Sequence, residues 1–386
     1  MGDFAQSGLI CTLQRLNETH LAALETELSD LAKDRPITLI LPCHASELDR
    51  PALSHLCTEL REARWLREII VSLNGFTKDL QTAAARTFAK LPHARLLWID
   101  GPEIAPILAD LLGCAATDLP HGKGLNVWVA AGIVALEERS ELILTQDCDV
   151  TSFRRVSLAR LAYACAHPKL NFGFAKMYYP RVTDRLYGRV TRLFLSPLLQ
   201  ALVRTAGHHP LLDFLLSFRY PLAGECAIRR TVIESLPMHP GWGLEIGLLC
   251  ELFRKVDPRE ICQVDGGSDY DHKHQPVTAG LEGMCSEIAE TLLEQLASEG
   301  VLVSDSLRQA VVGAYQREGS LAVQRSAALA LINGVPFDEG EEGENVRIFG
   351  NCLTRLPSSQ KSSALPSWTR LARENRECLH RLLAIA

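Results

Sequence analysis

Between Ile37 and Leu144 the chain alternates short apolar runs with amphipathic stretches, and this alternation restricts its fold more than any other feature. Ile37–Leu41 is a short apolar run closed by Pro42, as a buried strand would be. Pro51 opens a helix, where its missing N–H has no intrahelical partner to lose. Leu53, Leu56, Leu60 and Ala63 line one face of that helix. Ile69–Leu73 reads as a second strand ended by Asn74-Gly75, Thr77–Lys90 as a helix, and Ala94–Ile99 as a third strand. Gly124–Leu136 follows as a helix, and Leu142–Leu144 as a strand that runs into Asp147-Cys148-Asp149. A strand–helix repeat of roughly 30 residues predicts an α/β fold with a doubly wound, mainly parallel sheet. Ligands of such sheets bind beyond the carboxyl ends of the strands. Pro42–Glu47, Asn74-Gly75 and Asp147–Asp149 all fall there, so one site is expected from three strand ends.

The flanks are less regular. The first 35 residues read as helical, with apolar positions at helical spacing over Leu21–Leu31. Beyond Asp149, Phe172–Tyr179 reads as a strand, Val190–Val203 as a helix, Leu244–Lys255 as a helix and Ile261–Val264 as a strand. From about Ala279 the chain reads as helical, interrupted by a Gly/Glu-rich loop over Gly334–Glu344. The expected organisation is an N-terminal helical segment (1–35), a catalytic domain (36–276) and a helical C-terminal extension (277–386).

Composition removes several classes of function. The 386 residues are 47% hydrophobic and 22% charged, an ordinary globular balance. A net charge of −6 without a polybasic run argues against nucleic acid as a partner. An anionic substrate would need local positive charge or a metal. Leu125–Leu136 and Leu193–Val203 are too short to span a bilayer. The opening Met1-Gly2-Asp3 lacks a signal-peptide layout, and Gln6 breaks the myristoylation pattern. A cytoplasmic protein with no membrane partner is expected. The 12 cysteines include no Cys-x-x-Cys pair and are read as reduced structural thiols.

Six stretches carry candidate chemistry. Asp147-Cys148-Asp149 offers two hard carboxylates able to hold Mg²⁺ or Mn²⁺ against a diphosphate. The bland alternative is a pair of solvated loop acids. His121-Gly122-Lys123-Gly124 precedes a helix and would place Lys123 near phosphate or carboxylate, although the Walker pattern is absent. Otherwise it is a helix-start turn with an exposed lysine. Tyr187-Gly188-Arg189-Val190-Thr191 combines a cation, a hydroxyl and helix-start amides into an anion cradle, or is simply a capped helix with a surface arginine. In Asp271-His272-Lys273-His274 a histidine could complete a metal site begun by Asp149, or be merely exposed. Glu225 and Glu245 stand in similar apolar, Gly-containing contexts and are site candidates, unless each only faces a helix dipole.

Taken in order, these stretches resemble a known family. Leu41-Pro42-Cys43-His44-Ala45-Ser46-Glu47, Gly122-Lys123-Gly124, Asp147-Cys148-Asp149 and Gly188-Arg189-Val190-Thr191 come first. Pro221-Leu222-Ala223-Gly224-Glu225, Gly243-Leu244-Glu245-Ile246-Gly247-Leu248-Leu249 and His272-Lys273-His274-Gln275-Pro276 follow. The set is similar to the retaining glucosyl-3-phosphoglycerate synthases and their glucosylglycerate- and mannosylglycerate-forming relatives, over roughly Ile37 to Pro276. The resemblance implies an A-type glycosyltransferase fold, with a nucleotide-sugar half (36–150) and an acceptor half (151–276). It implies that Pro42 and Glu47 frame the donor's uracil, with His44 and Asn74 also on the donor side. It implies that Lys123 contacts the donor, that Asp147 lies against nucleotide or sugar, and that Asp149 and His272 bind Mg²⁺ or Mn²⁺. Gly188, Arg189, Val190 and Thr191 would hold the acceptor's phosphate. Leu222, Ala223 and Gly224 would face the transferred sugar, and Glu245 sugar and acceptor. Asp149, Glu245 and Lys123 are the catalytic candidates.

The expected reaction is metal-dependent, retaining transfer of a hexose, glucose from UDP-glucose, to 3-phosphoglycerate or glycerate. The partners are then a nucleotide-sugar donor and a small anionic acceptor, with a homodimer left open. Two departures touch the nucleotide half. His44-Ala45-Ser46-Glu47 stands where the family has an Asn-Glu-Glu-like ending, and Leu73-Asn74-Gly75-Phe76 where it has an Asp-Ser-Gly-Ser type loop. The alternatives are a glycosyltransferase of the same fold with another acceptor or donor, such as GDP-mannose, and a non-catalytic nucleotide-sugar-binding protein. The intact Asp147, Asp149 and His272 set argues against the last.

Overall fold

Alternation along each strand sorts the apolar side chains into two layers, and the helices are placed to cover both. The computed structural model of the chain describes residues 8–267, 280–356 and 364–386. The elements run β1 (Cys11–Leu13), α1 (Leu21–Asp34), β2 (Ile37–His44), α2 (Pro51–Leu60), β3 (Glu68–Asn74), α3 (Lys78–Phe88), β4 (Ala94–Trp98) and α4 (Ile104–Leu112). Then come α5 (Lys123–Glu137), β5 (Leu142–Thr145), α6 (Arg155–Ala166), β6 (Phe174–Tyr178), a π-helical segment (Val190–Leu195) and α7 (Ser196–Ala206). Next are α8 (Pro210–Leu216), β7 (Cys226–Arg229), α9 (Arg230–Ile233), α10 (Leu244–Lys255) and β8 (Ile261–Asp265). Five helices close the chain: α11 (Leu281–Ser298), α12 (Asp305–Ile332), α13 (Glu339–Thr354), α14 (Trp368–Glu374) and α15 (Arg376–Ile385).

The strands form one sheet in the order β1-β8-β6-β7-β5-β2-β3-β4. Among the described strands only β7 runs antiparallel to its neighbours β5 and β6; the other pairings are parallel. Leu39 and Leu41 of β2 join a layer with Leu28 of α1, Leu53 and Leu56 of α2, Phe88 of α3 and Leu158 of α6. Ile40 joins the opposite layer, with Trp128 of α5, Leu198 of α7, Leu249 of α10 and Leu292 of α11. A sheet covered on both faces needs strands that are apolar almost throughout, which is why the strands read as continuous runs. The doubly wound, mainly parallel sheet expected from the alternation is the one observed. All twelve cysteines are unpaired and nine are buried. Among the described residues no helix is long and apolar enough to cross a membrane.

Three expectations need correction. The first 35 residues are not wholly helical, because Cys11–Leu13 forms an edge strand on β8, with Cys11 opposite Cys262. Three residues carry no readable periodicity, and the partner lies far along the chain. β2 does not stop at Pro42 but continues to His44. Its last pair with β5 is Ile40↔Thr145, so Pro42 lies past the ladder on that side and its missing N–H costs no bond there. Gly334–Glu344 is not one loop. Its acidic half opens α13, where the Asp338 side chain accepts from the amide of Glu341 at 2.9 Å. Glu339, Glu341 and Glu342 form the first turn, where negative charge suits the helix dipole.

The end of the chain is tied to α5. The Trp128 and Trp368 ring centroids are 4.3 Å apart. Trp128 Nε1 donates to the carbonyl of Pro366, and Trp368 Nε1 to the carbonyl of Trp128, both at 2.8 Å. Trp368 lies so close over Gly132 that any side chain there would collide with its ring. Trp368→Ala is expected to cost about 3–5 kcal/mol, the usual range for a buried tryptophan. Thermal or denaturant unfolding checks this; an unchanged midpoint would show that the terminal segment is not docked.

Candidate active site

Beyond the carboxyl ends of β5 and β6 the described residues line a cleft of about 180 Å³. The antiparallel setting of β7 explains its composition. Thr145 at the end of β5 pairs with Cys226 at the start of β7, so Leu222–Gly224 meets Asp147 on the same rim. Cys148 is buried in the core, whereas Asp147 and Asp149 face the cleft. The apolar middle residue thus directs the two carboxylates outward.

Lys123 sits at the first turn of α5, positioned by two glycines. Gly122 has φ of +118°, a backbone state that side chains rarely adopt. A Cβ on Gly124 would collide with the main chain of His239 and Pro240. Lys123 Nζ lies 2.6 Å from Asp147 Oδ1 and 2.8 Å from Glu245 Oε1. Burial alone would lower the pKa of this ammonium, but Asp147 and Glu245 outweigh it and hold the pKa well above 10.5. Glu245 stands in the first turn of α10. Gly224 closes against the pair, since a Cβ there would collide with Lys123 Nζ and the Asp147 carboxylate.

Another stretch of the lining is basic. Gly188, with φ of +68°, turns the chain into Arg189, Val190 and Thr191, all lining the cleft. The first turn of α13 holds this wall from outside. Glu341 accepts from Arg189 Nη1 at 3.4 Å and from Arg185 Nη1 at 3.1 Å, and Glu342 pairs with Arg192 at 2.7 Å. Sequence reasoning missed several lining residues: Arg181, Tyr179, Tyr220 and Trp242, with Leu281, Met284 and Ile288 from α11. Arg181 follows the end of β6 and was open to the same strand-end logic as Asp147. Burial would lower its pKa, but the Tyr220 and Tyr179 hydroxyls and Asp149 more than offset this and raise it.

The remaining candidates lie beside or behind this cleft. His44 Nδ1 accepts from the Ser46 amide at 3.2 Å, and Ser46 Oγ donates to Glu47 at 3.0 Å. Pro42 and His44 lie at the end of β2, His44 directly opposite Asn74 of β3, and none of the three lines the cleft. Glu225 is fully buried, accepting from Tyr179 Oη at 2.8 Å and Gln146 Nε2 at 3.4 Å. Of the two glutamates in look-alike contexts, only Glu245 reaches the cleft. His272 and His274 lie outside the described residues. Among the described residues no group of three metal-ligating side chains occurs. Asp147 is ion-paired with Lys123, and Asp149 lines the cleft near Arg181; carboxylate oxygens are the hard ligands that suit a divalent cation.

No family model matches the chain. It is 36% identical over 360 residues to a glucosyl-3-phosphoglycerate synthase of Persephonella marina, covering 92% of this chain and 89% of that protein. It is 33% identical over 363 residues to the glucosyl-3-phosphoglycerate synthase of Methanococcoides burtonii, covering 90% and 88%. Its fold is similar to the crystal structure of the Mycobacterium tuberculosis glucosyl-3-phosphoglycerate synthase in complex with Mg²⁺ and UDP. The TM-score is 0.54 at 25% identity, over 74% of this chain and 86% of that one.

Proposed function

This chain belongs to the glucosyl-3-phosphoglycerate synthase family, and from that membership we propose that it transfers glucose from UDP-glucose to the 2-hydroxyl of 3-phosphoglycerate, with retention at the anomeric carbon. The observation that carries the proposal is one cleft lined both by Asp147, Asp149 and Lys123 and by the Gly188–Thr191 stretch. Residues 36–150 would supply the donor half and 151–276 the acceptor half, with Pro42, His44, Glu47 and Asn74 on the nucleotide side. A bound Mg²⁺ or Mn²⁺ would neutralise charge developing on the leaving UDP. Asp149 and His272 are the residues proposed to hold it. Lys123 stays protonated and presents positive charge toward the departing diphosphate. The Lys123 ammonium engages both Asp147 and Glu245, which makes each a poor nucleophile. This supports attack by the acceptor hydroxyl from the same face over a covalent intermediate. The unpaired cysteines support placing the enzyme in a reducing compartment, the cytoplasm.

Arg189 and Thr191 are proposed to hold the acceptor's phosphate, with helix-start amides beside them. A charge-assisted hydrogen bond contributes about 1.5–3 kcal/mol. Arg189→Ala is therefore expected to lower kcat/KM for 3-phosphoglycerate about ten- to a hundredfold, through the acceptor KM rather than the donor KM. With glycerate the effect should be much smaller, since no phosphate is left to hold. Equal impairment with both acceptors would make the loop structural. The reading as a whole is tested by a donor-by-acceptor screen with Mg²⁺ and Mn²⁺, the product's anomeric configuration being read by NMR. Preference for another donor or for glycerate, or an inverted product, would overturn the corresponding part.

A further inference from the structure

Beneath the cleft lies a buried ammonium that the proposed reaction does not use. Lys176 of β6 is 2% exposed and pairs across the sheet with Cys226 of β7. Burying an ammonium is costly without hydrogen bonds and counter-charge, so its placement asks for a physical reason. Lys176 Nζ donates to the carbonyl oxygen of Ala223 at 2.7 Å. The next carbonyl, that of Gly224, accepts from Thr145 Oγ1 at 2.6 Å. Two successive carbonyls of the segment before β7 are thus pinned from the core, one by β6 and one by β5.

The same segment meets the cleft on its other side. Leu222 and Gly224 line the cleft, while the Ala223 side chain is buried. Gly224 lies flush against Lys123 and Asp147, as the collision of an added Cβ with both shows. Lys176, Lys123, Thr145 and Glu245 also share a small cavity of about 20 Å³ behind the segment. Burial lowers the Lys176 pKa; Cys226, Glu245 and Glu225 act to raise it, while Lys123 lowers it further.

We infer that Lys176 is a positioning residue for the transfer reaction: its hold on the Ala223 carbonyl sets the Leu222–Gly224 backbone against the Lys123–Asp147 pair, where the transferred glucose would lie. The inference rests on the proposed glucosyl transfer. Its physical basis is that alignment matters more to reaction than to binding. A misplacement of about 1 Å can cost on the order of a hundredfold in rate. UDP and phosphate, held elsewhere, would bind nearly as before.

The test uses the full chain and two independent variants. Lys176→Met removes the ammonium from a side chain of similar length, and Thr145→Val removes the neighbouring pin on Gly224. Both are assayed for kcat, for both KM values, for UDP affinity by calorimetry and for thermal midpoint. The expected result for Lys176→Met is a loss of about tenfold or more in kcat, a part of the cost of misalignment, with UDP affinity and acceptor KM nearly unchanged. Thr145→Val should show the same split to a smaller degree. An unchanged kcat in the folded Lys176→Met variant overturns the inference, as does a loss of kcat matched by equal losses of affinity. If Lys176→Met does not fold, Thr145→Val decides alone, and an unchanged kcat there is the overturning result. A wild-type protein that makes no glucosylated product defeats the functional proposal itself, whereas an active wild type with an unaffected variant defeats only the role of Lys176.

Discussion

Asp149→Ala is expected to remove turnover almost entirely while the protein still folds. Asp149 lies at the cleft, and its neighbour Cys148 anchors the strand end in the core, so the substitution deletes a carboxylate without opening the interior. A lost metal ligand removes several kcal/mol of charge stabilisation on the leaving diphosphate. At about 1.4 kcal/mol per decade this amounts to roughly a thousandfold or more in kcat. Initial rates across a Mg²⁺ and Mn²⁺ titration, with circular dichroism as the folding control, check it. Near wild-type rates at saturating metal would refute the assignment of Asp149.

Lys123→Met should have a comparable effect for a different reason. Lys123 holds Asp147 and Glu245 together, and its side chain and theirs are mostly buried. Removing one partner of such a set leaves uncompensated carboxylates behind, a loss of about 3–5 kcal/mol for fully buried pairs and less here. The variant is expected to lose about a hundred- to a thousandfold in kcat, the range for deleting a preorganised electrostatic contact at a reacting centre, and to melt earlier. The pH dependence has a definite sign. A group whose folded pKa is raised contributes stability that is fully present below its unfolded pKa and is lost as pH rises through the folded value. For Lys123 the folded value lies well above 10.5, so its contribution is constant through the neutral range and fails only in strong alkali. Rate and unfolding profiles of wild type and variant should therefore run parallel between about pH 6 and 9, a window set by the ordinary lysine pKa of about 10.4. A wild-type limb near pH 8 that vanishes in Lys123→Met would contradict the protonation state assigned here.

Much of the fold was legible because its determinants are local. Apolar alternation, Pro51 at a helix start and Asn74-Gly75 at a strand end act within a few residues of one another. The strand ends were legible for the same reason, and with them Asp147 and Asp149 as candidates, while Lys123 was legible from the glycines at its helix start. The Gly/Glu-rich stretch misled because composition favoured a loop, whereas Asp338 capping Glu341 and the dipole of α13 favoured a helix.

By itself the sequence determined the strand–helix alternation between Ile37 and Leu144, the doubly wound sheet and the motif that ends β5. Tertiary structure alone decided what those pieces share. It placed Cys11–Leu13 on β8 and turned β7 antiparallel, which brings Leu222–Gly224 to Asp147. It joined Lys123 to Glu245 across 122 residues and buried Glu225 while exposing Glu245 to the cleft. It set Lys176 beneath the Leu222–Gly224 backbone and Arg181 beside Asp149. Short-range periodicity fixes which face of an element is apolar. Which buried faces meet, and therefore which charges must pair to be buried at all, depends on complementarity between distant segments that no local pattern records.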